Sequence, residues 1–158
     1  MKRIFALILI LCFSLFSCSN DGKTDQKTEI PKGITVEING VTKVFNEVSV
    51  EKYGQTQGGY VDLSLILSGR IEKNSIERIV FSITNKGENG DNKVNQVMYV
   101  DQNDNEYYYD PSTNQNFSVD VIENDLMFIL KGRFSGILYQ NKGGNKLSFK
   151  NGSFNVQY

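Results

Sequence analysis

The sequence predicts an all-β domain, an antiparallel sandwich or else a small barrel of about eight to ten strands, with little or no helix in the mature chain. Three observations predict it. Apolar residues alternate with polar ones in run after run. Clusters rich in Gly, Asn and Asp separate the runs. No stretch carries an apolar stripe at helical spacing; Lys73–Val80 has room for one short turn and no more.

The chain opens differently. Lys2 and Arg3 precede an uncharged run, Ile4 to Phe16, which ends in Leu15-Phe16-Ser17-Cys18. A basic segment, an apolar segment and a small residue make a secretory signal over residues 1–17. The run is shorter than the ~20 residues that span a bilayer. Leu15 is awkward for a small-x-small cleavage site, whereas Leu-x-Ser-Cys resembles the bacterial lipobox. That resemblance implies a diacylglycerol on the Cys18 thiol, cleavage before Cys18, and acylation of the new amine. Several acyl chains give stable anchoring where one does not. Ser19, in place of the Asp that retains such proteins in an inner membrane, implies the outer membrane.

Residues 18–32 then read as the lipidated cysteine and a flexible tether. They are Ser-, Asn-, Asp-, Lys- and Thr-rich, with too little apolar surface to offset ordering. Residues 33–158 form the expected single domain. Ile34, Val36 and Ile38 alternate with Thr35 and Glu37, and Asn39-Gly40 then leads into VTKVF. Asn-Gly between such runs signals a type I′ hairpin, whose two central residues need positive φ. Val48 and Val50 start the next alternation. Val61 to Leu67, Ile79 to Ile83, Phe117 to Val121 and Phe154 to Tyr158 continue it. GQTQGG, NKGENGDN, DQNDNE, DPSTNQN, NKGGN and the Asn151-Gly152 pair read as turns between them. Leu126–Gln140 is the longest extended stretch, interrupted by Gly132 and Gly136. It predicts two strand segments meeting at a kink, or one long strand that bends.

FSVDVIENDLMFILKGRFSGILYQ followed by LSFKNGSFNVQY resembles the C-terminal half of small envelope lipoproteins of Bacteroidetes-type bacteria, and ITVEINGVTKVF is similar to their first hairpin. The resemblance implies a sandwich-like fold at the cell envelope. It brings no catalytic residue with it.

Composition excludes several functions. The chain has no histidine and two cysteines, Cys12 within the signal and Cys18 at the lipobox. The mature domain therefore lacks a thiol nucleophile, a disulfide, His-based triads and His-bearing zinc sites. Without Lys2 and Arg3, 15 basic residues face 18 acidic ones, a net charge of −3. No basic stripe exists to neutralise phosphates, so nucleic acid is not an expected partner. Glu72 and Glu77 do not by themselves signal a glycosidase pair.

Asp101 to Asp110, DQNDNEYYYD, is the most suggestive stretch. Asp101, Asn103, Asp104 and Glu106 are oxygen ligands of the kind calcium takes, though the spacing is not that of an EF-hand. A polar turn feeding a strand is the favoured reading. Alternation puts Tyr107 and Tyr109 on one face and Tyr108 on the other, with at least one tyrosine exposed. Such a ring beside Asn and Asp suits a sugar, and equally a half-buried strand. The expected function is a non-enzymatic outer-membrane lipoprotein held by Cys18. The alternative is a surface-displayed carbohydrate- or calcium-binding module. No cofactor, catalytic residue or metal is expected. The partners expected are the membrane, through the lipid, and a glycan or another envelope protein.

Overall fold

The structure is a computed structural model that describes residues 29–57, 60–86, 91–109, 116–125, 129–140 and 144–158. Cys18, the expected signal and most of the expected tether lie outside the described residues. Among the described residues there is no helix, and ten strands form one antiparallel sheet.

The first hairpin is as its residues dictate. Strand β1 (Gly33–Ile38) buries Ile34, Val36 and Ile38. Asn39 (φ 48°) and Gly40 (φ 85°) turn the chain into β2 (Val41–Phe45). After the single residue Asn46 comes β3 (Glu47–Gln57). Among the described residues β2 pairs only with β1, and β3 only with β4 (Tyr60–Arg70). One bent segment therefore passes the chain from one sheet edge to the other.

From β4 the sheet meanders through β5 (Arg78–Lys86), β6 (Asp91–Val100) and the short β7 (Glu106–Tyr109). β7 reaches the end of β9 (Ile129–Gln140), while β8 (Phe117–Asp125) pairs with the first part of β9. β10 (Lys146–Gln157) lies between β9 and β1. The strand order is β2-β1-β10-β9-β7-β6-β5-β4-β3, with β8 beside β9. The sheet rolls until it is nearly closed and barrel-like, within the sandwich-or-barrel class the sequence predicts.

The inward residues fill the roll with rings. Phe81 meets Phe134 at 4.9 Å and Phe154 at 5.5 Å, centroid to centroid. Phe117 links Phe134 to Phe149, and Tyr99 links Phe149 to Phe45 and Tyr107. Burying rings of this size dominates the stability of such a core.

Local readings need correction at two places. GQTQGG is not all loop: Gly54 to Gln57 continue β3, and only residues 58–59 lie outside the described part. Asn151-Gly152 is not a turn. Phe149 faces Gly136 and Gly152 faces Phe134, so the pair sits in a bulge within the unbroken β10. Asn151 adopts φ 51° there, and a Cβ on Gly152 would lie 2.6 Å from the Phe134 backbone oxygen. Of the two readings of the stretch through Gly132 and Gly136, the single long strand is the one found, as β9; residues 126–128 lie outside the described part.

Candidate functional site

The DQNDNE segment links β6 to β7 and is organised by its first aspartate. Asp101 Oδ1 accepts from the Asn103 and Asn105 amides at 2.8 and 2.9 Å, and Oδ2 accepts from Asn105 Nδ2 at 2.9 Å. Asp101 N donates to Asn105 O, and Asp104 N to Asp101 O. Asp104 takes φ 62°, which a short polar side chain tolerates. Burial alone would raise the Asp101 pKa; bonds from Asn105, Asn103 and Tyr107 outweigh it and hold the carboxyl below its ordinary value.

This geometry matches the polar-turn reading of the stretch. The Asp101 carboxylate is engaged by its own loop rather than presented outward. Among the described residues no three Asp, Glu, His or Cys side chains gather as a metal site. Tyr107 is buried at 6% exposure, packs on Tyr99 and bonds Asp101. Tyr109 is half-buried against Phe117. Tyr108 faces outward, also half-buried, and donates to Glu106. The expected exposed ring is thus absent from the triplet. The more exposed tyrosines are Tyr53 (53%) and Tyr139 (38%), the latter directly across from Tyr108. Asn103 and Asp104 are exposed at the turn. Asp101→Ala should lower stability by about 1–2 kcal/mol in urea unfolding, because several loop amides lose their acceptor. The pair Asp104→Asn and Glu106→Gln should change it by less than about 0.5 kcal/mol.

Two polar networks cap the ring-filled interior. At the end carrying the β6–β7 turn, Glu77 is 5% exposed. Its Oε1 accepts from the Tyr99 hydroxyl, and Lys43 Nζ lies 3.0 Å away. The β4–β5 connection aims Glu77 there: Arg70 donates to Ser75 O at 2.6 Å, and Ser75 Oγ accepts from Glu77 N. Burial and the Glu77 carboxylate both raise the Tyr99 pKa well above its ordinary value. At the other end Asn92 Oδ1 accepts from Asn85 and Asn124, and Asn124 Oδ1 accepts from the Tyr158 hydroxyl. Lys52 Nζ sits 4.2 Å over the Tyr158 ring. This amide chain ties β6 to β8, between which no ladder runs.

The outer face of β8, β9 and β10 carries a surface recess of about 680 Å³. Its floor holds Ser118 and Asp120 from β8, Arg133 and Ser135 from β9, and Lys150 and Asn151 from the β10 bulge. One wall is Glu29, Ile30 and Pro31. These belong to the segment expected as free tether, yet Ile30 O accepts from Asn155 Nδ2 at 2.7 Å. Sequence reasoning missed this site, because the strand alternations mark only which residues face inward. The Asn151-Gly152 pair was the available signal, and it reads as a turn.

No family model, curated protein or solved structure matches the chain.

Proposed function

We propose that the protein is a cell-envelope lipoprotein, anchored to the outer membrane through Cys18 and acting as a non-enzymatic interaction module. One observation carries the reading: Lys2-Arg3, the uncharged run, Leu15-Phe16-Ser17-Cys18 and a polar tether follow one another in the order that lipidation requires. The fold is consistent with a role in contact rather than chemistry. Packed rings occupy the centre of the sheet, and Glu77, Tyr99 and Asp101 are bound to one another or to their own loops. Partners therefore meet the outer surface.

Metabolic labelling with a palmitate analogue tests the anchor. The wild type should incorporate label and run as the shorter, processed form, and Cys18→Ala should remain an unlabelled precursor. Equal labelling of both overturns the proposal.

A further inference from the structure

We propose that the outer-face recess of β8–β10 is a binding site for an oligosaccharide chain, with the Glu29–Pro31 segment as one wall. This extends the interaction role proposed above but rests on the outer face alone, so the labelling test and the one below fail separately.

Shape gives the first argument. The recess volume, about 680 Å³, falls in the range of small-ligand sites. It lies open on a sheet surface, so a ligand can extend beyond it. Chemistry gives the second. Asp120, Arg133 and Asn151 end in planar groups with paired acceptors or donors, and Ser118 and Ser135 add hydroxyls. Adjacent sugar hydroxyls, each donor and acceptor, match that set. Ile30 and Pro31 offer an apolar wall to the C–H face of a sugar ring.

Charge argues against the other ligand classes. Arg133 and Lys150 are offset by Asp120 and Glu29 in the recess, and Glu37 lies across from Lys150 on β1. Neither cation belongs to an ion pair among the described residues, which are Lys43–Glu77 and Lys131–Glu123. The recess thus presents side chains of both signs and no excess that would select a phosphate or a metal ion.

The bulge is the third argument, and it is independent of the lining. A regular strand would turn one of Lys150 and Asn151 inward. Here both are exposed between buried Phe149 and Gly152. Asn151 holds a left-handed backbone to do so, and such departures collect where a side chain is re-aimed at a site.

The test uses the full-length protein in detergent on an array of neutral and acidic tetra- to hexasaccharides, followed by titration of the strongest binder. Asn151→Gly keeps the left-handed backbone and removes the amide. Arg133→Ser removes the guanidinium from an exposed position. Each should weaken binding by about tenfold with an unchanged melting temperature. Asn155→Ala, which frees the wall at Ile30, should weaken it several-fold, and Tyr53→Ala, away from the recess, should leave it unchanged. Binding to no saccharide overturns the proposal. So does saccharide binding that survives both recess variants, or capture of peptides in place of sugars.

Discussion

Gly136→Ala should cost about 4 kcal/mol or more, a large part of the 5–15 kcal/mol that holds a domain of this size together. Gly136 has φ 142°, and a Cβ there would stand 2.1 Å from the Asn116 carbonyl oxygen and 2.4 Å from Phe117 Cα. Both are backbone atoms, at the start of β8 where it pairs with β9. Ile137 N donates to the same Asn116 oxygen, so relief of the clash breaks that hydrogen bond. Gly144→Ala is the comparison. Its φ is 70°, but nothing lies within 4 Å of an added Cβ, so only the left-handed strain of about 1–2 kcal/mol remains. Urea unfolding of the two variants should separate them clearly; equal losses would refute the steric account.

Glu77→Ala should cost about 3 kcal/mol, since it leaves the Lys43 ammonium and the Tyr99 hydroxyl without their shared acceptor. Glu77→Gln should recover part of the loss by still accepting from Tyr99. The same cluster sets a pH dependence. The Tyr99 pKa is raised by burial first and by Glu77 second. The folded phenol therefore keeps its proton at pH values where the unfolded one, near its ordinary 10.0, has released it. Stability from this group is complete below about pH 10 and falls as pH rises through the folded value. Tyr99→Phe should be less stable at neutral pH and decline less steeply above about pH 10. A wild type and Tyr99→Phe with parallel alkaline declines would exclude the role given to Tyr99.

Most of the strands were legible because one face of each is buried and period two records it. β6 was not, and its register explains why. Ser82 pairs with Gln96 and Ile83 with Val94, leaving Asn95 as an extra residue. Val94 and Val97 both turn toward the core, two exposed residues lie between them, and the alternation is lost. The same kind of insertion at Lys150-Asn151 hid the recess. The acid-rich turn was legible as a turn, but its acids could not be told from ligands. That distinction depends on where the carboxylate oxygens point; those of Asp101 accept from amides two and four residues on, which the sequence does not record. The tyrosine triplet was correctly alternated, yet the most exposed tyrosine rings among the described residues belong to Tyr53 and Tyr139.

β1 closes on β10, with Gly33 opposite Asn155. The first strand of the domain waits for the last one to be synthesised. Until then Ile34, Val36 and Ile38 have only the β2 hairpin for a partner, and an isolated hairpin is at best marginally stable in water. Until β10 emerges, β1 lacks its second ladder partner, and non-local pairing of this kind is slow. For a polypeptide proposed to cross a membrane before it works, that order of events leaves β1 without its β10 partner until β10 has followed.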